Sequence, residues 1–275
     1  MNQIEKFISQ FEGKTISVAV HDLETGREIF INADVSMHPA STMKVPVMME
    51  MFRQAEAGLL ALDEPLKVFN SFKSIVDGSE FSLEEVDDSD KTLYARIGES
   101  ESIRELNRLM IIRSSNLATN LLMERVTCAR VDAFIKELGI ENMTVIRGLE
   151  DKKAYRLGMN NVASARSSTQ MMKMIAEGKV VSRKVCDEMI EVMFGQEFNE
   201  SIPALLPAGV KIAHKTGWTG EYFHDTGIVF PPERKPYAIS LFTHGFPEDD
   251  ENQAHGCMAE VSRMVYKELV ENNGK

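Results

Sequence analysis

The chain has 275 residues, 43% of them hydrophobic and 27% charged. That is the balance of a soluble globular protein with one large domain or two lobes around a shared core, and it excludes disorder, collagen-like repeats and a small disulfide-stapled scaffold. The net charge of −11, from 31 Lys+Arg against 42 Asp+Glu, repels phosphate backbones, and no run of five basic residues offsets it, so no nucleic-acid partner is expected.

In chain order, residues 2–12 read as a short amphipathic helix, with Ile4, Phe7, Ile8 and Phe11 at helical spacing. Residues 15–22 alternate as a strand. Leu23-Glu24-Thr25-Gly26 is a turn and 27–32 a second strand, making an antiparallel hairpin. From about 41 to 195 the period becomes helical, with apolar sets such as Leu106, Leu109 and Met110, then Leu117, Leu121, Leu122 and Val126, then Val131, Phe134, Ile135 and Leu138 before Gly139. Segments 169–175 and 186–194 also read as helices. The stretch 80–90 holds six carboxylates and no base. Lacking the glycine and ligand spacing of a calcium loop, it reads as a solvated surface loop. After Pro207-Ala208-Gly209 the period returns to two, predicting strands at 210–218, 222–230 and 237–244. An acidic run from Pro247 opens a final helix reaching about residue 271.

Strands first and last with helices between predict an α/β chain of the α+β type. An antiparallel five-stranded sheet is packed by the terminal helices (lobe 1–40 plus 196–275), and an all-helical lobe (41–195) is inserted. Cys128, Cys186 and Cys257 are too few and scattered for a disulfide framework and read as reduced thiols. The first residues show no basic-then-apolar leader, and no apolar run approaches the ~18 residues of a membrane span. The chain as written is therefore expected in the cytoplasm with no membrane partner; one already trimmed of a leader would read the same and be secreted or periplasmic.

GxSxG, HExxH, GxGxxG and Walker A signatures are absent, and the six histidines form no metal-ligand spacing. No metal or cofactor is expected. What stands out is Ser41-Thr42-Met43-Lys44, at the start of an apolar helical segment. A serine there can be only an N-cap. It can also be a nucleophile: residues i and i+3 share a helix face, a desolvated lysine can accept a proton, and a helix N-terminus offers N–H groups to an oxyanion. Pro46 cannot donate to the carbonyl of Thr42, so the helix is expected to be irregular there. Ser114-Ser115-Asn116 opens a later helical run, which capping explains equally well. Lys215-Thr216-Gly217 lies inside a predicted strand, where Gly217 permits close approach of a ligand and the cation and hydroxyl suit a carboxylate.

These three elements, in this order, resemble the SxxK, SDN and KTG set of class A β-lactamases and penicillin-binding proteins, and the likeness spans nearly the whole chain. The resemblance implies a nucleophile at Ser41, a proton acceptor at Lys44 and a proton relay at Ser114. It implies substrate contacts at Asn116, Lys215, Thr216 and Gly217, with oxyanion donors at the N–H groups of Ser41 and Trp218. Two departures stand out. Ser115 replaces the usual Asp, and the ExxN pattern of the ω loop is missing, leaving Glu150 as the candidate base for the deacylating water, or else a solvated carboxylate or a partner of Arg147. The following helix is expected to start within 159–165. The implied activity is β-lactam hydrolysis through an acyl-enzyme on a small-molecule substrate. The alternatives are a peptidase, esterase or amidase with poor lactam turnover, or a non-catalytic binder. Oligomeric state is not legible.

Overall fold

A computed structural model describes residues 3–232 and 234–272. The elements are α1 (Gln3–Ile8), β1 (Thr15–Asp22) and β2 (Glu28–Ile31), then a 3₁₀ turn (Ala40–Met43) running straight into α2 (Lys44–Glu56). Four short strands follow: β3 (Pro65–Lys67), β4 (Phe72–Lys73), β5 (Glu80–Phe81) and β6 (Ser100–Ser102). Then come α3 (Ile103–Ile112), α4 (Asn116–Val126), α5 (Cys128–Glu137), α6 (Lys152–Arg156), α7 (Ala165–Ala176) and α8 (Arg183–Phe194). The chain closes with β7 (Lys211–Thr219), β8 (Tyr222–Phe230), β9 (Tyr237–His244) and α9 (Glu251–Tyr266), continued by a π-helical turn (Lys267–Glu271).

The five-stranded sheet runs β2-β1-β9-β8-β7, and every neighbouring pair is antiparallel. Both ends of the chain meet in it, since β1 pairs with β9 along its whole length. Period-two alternation divides its side chains between two cores. Val18, Val20, Ile239, Leu241 and Phe223 face α1 and α9. Ala19, Ala213, Ile228 and Phe242 face the helical lobe, where α7 lies across β9, β1 and β8. Helix α2 is buried on nearly every side, as a helix passing through the middle of a lobe must be.

The sheet lies where the alternation placed it, with ends shifted by one residue at β2 and β7. The first helix stops at Ile8, so Phe11 lies beyond it yet still packs on the core; residue 2 falls outside the described residues. Two ribbons, β3 with β6 and β4 with β5, decorate the helical lobe, their strands too short to leave a periodic trace. Segment 80–90 differs from the expected solvated loop: Asp88 and Asp90 are each only 3% exposed. Asp88 accepts from the N–H groups of Asn116 and Leu117 and from Tyr94 Oη, so it serves the positive end of α4. Helix α7 begins at Ala165, capped by a reciprocal Ser164–Ser167 pair, and 159–163 is not helical, Val162 and Ala163 bridging Thr144 and Met37.

Candidate active site

Ser41 sits in the 3₁₀ turn that leads into α2. Thr42 Oγ1 donates to Pro39 O at 2.6 Å and pins this turn, and Pro46, with no N–H, falls in the first turn of α2. The face of β7 that carries Gly217 presses on it. A Cβ at Gly217 would stand 2.7 Å from Ser41 N and 2.9 Å from Thr42 N, so only glycine lets the strand lie against the serine's backbone.

Lys44 opens α2 and is fully buried. Its Nζ donates to Ser114 O at 2.6 Å and to Asn116 Oδ1 at 2.8 Å, and lies 3.3 Å from Ser114 Oγ. Burial lowers its pKa to about 7, against the opposing pull of Asp88 and Glu150. A neutral amine keeps two hydrogens, enough for the carbonyl of Ser114 and the amide oxygen of Asn116, and one lone pair free to take a proton.

Ser114 occupies the left-handed region at φ 57°, unusual for a residue with a Cβ and typical of a site held by its surroundings. Ser115, where the family usually has Asp, caps α4 by accepting from Ala118 N. Lys215 is fully buried; its Nζ donates to Ser114 Oγ at 3.1 Å and to Thr216 O at 2.9 Å. Burial and the charge of Lys44 push it well below the usual lysine range. It shares the sheet face of Ala213, toward the helical lobe, and Thr216 the opposite face with Ile212. Thr216 Oγ1 is buried and has no hydrogen-bond partner among the described residues.

Glu150, also in the left-handed region, is half-buried. It accepts from Asn116 Nδ2 at 3.0 Å and from Glu84 N at 3.3 Å. Burial raises its pKa, and the nearby charges of Asp87 and Asp88 add to the rise. It is neither freely solvated nor a partner of Arg147, whose guanidinium goes instead to Met159 O, Gly148 O, Asn160 and His38.

Two asparagines clamp the segment that presents Glu150. Asn161 accepts from Ile146 N and Arg147 N and donates to Arg147 O. Asn120 grips Leu149 through both its N–H and its carbonyl, and a Cβ at Gly148 would stand 2.6 Å from Asn120 Oδ1. Neither asparagine, nor Asp88, carried a motif that would have marked it in the sequence.

One hydrogen-bonded chain therefore runs Lys215–Ser114–Lys44–Asn116–Glu150. A cleft of about 390 Å³ opens beside it, lined by Ser41, Asn116, Glu150 and Trp218 together with His38, Arg147 and Tyr155. Lys44, Ser114, Lys215, Thr216 and Gly217 do not line that cleft. Two amines flanking one hydroxyl, beside an accessible serine and a carboxyl of raised pKa, can move protons to and from a reacting oxygen and nitrogen.

The model of the β-lactamase enzyme family matches residues 1–269. The extended-spectrum β-lactamase PER-1 of Pseudomonas aeruginosa is 23% identical, the match covering 92% of this chain and 82% of that protein. Among solved structures, PBP-A superposes with a TM-score of 0.82 at 26% identity, covering 98% of this chain and 95% of that one. A mutant of PBP-A was solved as an acyl-enzyme complex with penicillin G. A β-lactamase from Sphaerobacter thermophilus superposes with a TM-score of 0.81 at 21% identity, over 96% of this chain and 95% of that one.

Proposed function

The chain belongs to the β-lactamase enzyme family, and on that premise we propose that it is a serine hydrolase that opens the β-lactam amide bond through an acyl-enzyme on Ser41. The observation that carries this reading is the hydrogen-bonded chain Lys215–Ser114–Lys44–Asn116–Glu150 beside the cleft that Ser41 lines.

In acylation, neutral Lys44 takes the Ser41 hydroxyl proton as Oγ attacks the lactam carbonyl carbon. The N–H groups of Ser41 and Trp218 receive the oxyanion. As the C–N bond breaks, the ring nitrogen takes the Ser114 hydroxyl proton, and Lys44 returns its proton to Ser114. Lys215 Nζ, hydrogen-bonded to Ser114 Oγ, is the group that meets the substrate's ring carboxylate. In deacylation, Glu150 takes a proton from water as the hydroxide adds to the ester carbon; the C–Oγ bond then breaks, and Glu150 gives the proton back to Ser41 Oγ, which restores both groups for the next turnover.

Incubation with benzylpenicillin should add the drug's mass to a peptide containing Ser41. Ser41→Ala should abolish the adduct; labelling that survives in the Ala variant removes Ser41 from the role. With a chromogenic cephalosporin the native chain should turn over steadily. Glu150→Gln, which keeps shape but cannot take a proton, should burst and stall, a loss of ~10²–10⁴-fold in the second step. The kinship with PBP-A supports a second reading, an enzyme that acylates and then waits. A native chain that itself stalls after one turnover selects it, and equal turnover by Glu150→Gln excludes Glu150 as the base.

A further inference from the structure

Arg147 lines the same cleft as Ser41, yet it is only 4% exposed. A guanidinium stays charged at any ordinary pH, and a buried charge without a counter-ion is costly. Nevertheless none of its contacts is a carboxylate. Nε donates to Met159 O at 3.0 Å, Nη1 to Gly148 O at 2.9 Å and Nη2 to Asn160 Oδ1 at 2.9 Å, while His38 Nε2 lies 3.3 Å from Nη2. Three of its five N–H bonds thus end on neutral acceptors, and the other two, one on Nη1 and one on Nη2, have no acceptor among the described residues. His38 is a neutral ring, because burial and the Arg147 charge push its pKa down to about 4; its Nδ1 accepts from Ala40 N, so its Nε2 carries the hydrogen and offers Arg147 no lone pair.

The carboxylates on the cleft wall are engaged elsewhere. Asp151, whose field reaches Arg147 without a contact, caps α6 through Ala154 N and holds Ser74 Oγ and Ile75 N. Glu150 holds Asn116 and Glu84 N. Asp87 faces Lys152 at 3.8 Å. The cage of Met159, Gly148 and Asn160 therefore fixes the guanidinium plane and supplies no negative charge to it.

We propose that Arg147 is a specificity-determining residue that receives a second anionic group of the substrate, a carboxylate on the acyl arm. This rests on the β-lactam reading above. The arm is assigned by position: Arg147 lies on the segment that carries Glu150 and reaches Asn116, whereas the ring carboxylate belongs to the Lys215 side on β7. The exposed Tyr155, whose ring centroid lies 5.8 Å from Arg147 Cζ, walls the approach, so an aryl group bearing the carboxylate has a surface to rest on.

The test uses a matched pair, benzylpenicillin and its α-carboxy analogue, which differ by one carboxylate. In the Ser41→Ala protein, binding is read by calorimetry without acylation. The carboxylated member should bind about 10-fold more tightly, as a charge-assisted contact supplies, and raised salt should shrink the preference. Arg147→Gln should erase the preference and Arg147→Lys should keep part of it, with Trp218 fluorescence reporting that each variant is folded. A merely structural arginine would weaken both ligands equally. Equal binding of the pair by the Ser41→Ala protein, or a preference that persists in Arg147→Gln, overturns the proposal. If the Gln variant does not fold, the size and salt dependence of the preference in the Ser41→Ala protein decide. The two readings fail separately: a preference without any acylation of the native chain keeps the anion site and ends the lactamase reading, and acylation without a preference does the reverse.

Discussion

In the proposed acylation Lys44 sets the pH dependence, because only its neutral form can accept the Ser41 proton. Its pKa, lowered to about 7 by burial, predicts that single-turnover acylation rises with pH through about 7 and is lost below it. The raised carboxyl of Glu150 must be ionised to act, so deacylation also falls as pH drops through its pKa. Rapid-quench acylation and steady-state turnover across pH 5–9 separate the two; a flat acylation profile would remove Lys44 as acceptor. Gly217 is the second residue on which the proposed chemistry depends. A methyl group 2.7 Å from Ser41 N must displace the serine's turn, and small misplacements of a nucleophile are expensive. Gly217→Ala should lower kcat/KM by about 10²-fold while stability falls by ~1–3 kcal/mol, both measurable on one sample by turnover and urea unfolding.

Helix α4 and the segment before α6 are the elements that aim the site. Asp88 satisfies the first N–H groups of α4 and is also the larger of the two charges that hold Lys44 protonated. Asp88→Asn should therefore cost about 1–2 kcal/mol of stability and also lower the Lys44 pKa, moving the acid limb of acylation to lower pH. A stability loss with an unmoved limb would confine Asp88 to capping. Asn161 serves the other element. Asn161→Ala leaves Ile146 N, Arg147 N and Arg147 O without their shared partner, a cost of ~1–3 kcal/mol. It loosens Glu150 while Ser41 and Lys44 stand on α2 and the turn before it. Deacylation should slow more than acylation, visible as a burst absent from the native chain; equal slowing would mean the clamp does not act through Glu150.

The sheet is common to both cores, so the lobes are expected to unfold together. One of its faces packs α1 and α9, the other α7 and the helical lobe, and β7 carries the chain's single tryptophan, Trp218, edge-on to Phe198 at the cleft. Melts followed by Trp218 fluorescence and by far-UV circular dichroism should coincide. Leu121→Ala in the helical core and Leu241→Ala on the opposite face, each costing ~2–5 kcal/mol, should shift both probes by equal amounts. Separate transitions would show a helical lobe that folds on its own. Among the described residues no helix is long and apolar enough to cross a membrane, and the α9 face of the sheet is spent on internal packing.

Local pattern alone determined the strands of the large sheet, the main helices and three short motifs, because alternation, helical spacing and glycine placement are properties of neighbouring residues. It carried Ser41, Lys44, Ser114, Asn116 and Lys215 as separate fragments. Only the tertiary structure decided that Lys215, Ser114, Lys44, Asn116 and Glu150 form one chain, since those contacts join α2, the α3–α4 corner, β7 and the loop before α6. It also moved Asp88 and Asp90 from an expected solvated loop into the interior, because a run of carboxylates looks the same in sequence whether it faces water or a helix N-terminus. The clamps Asn120 and Asn161, and Arg147 with its neutral partners, were illegible for the same reason: their roles depend on backbone groups and solvent exclusion, which chain folding alone assembles.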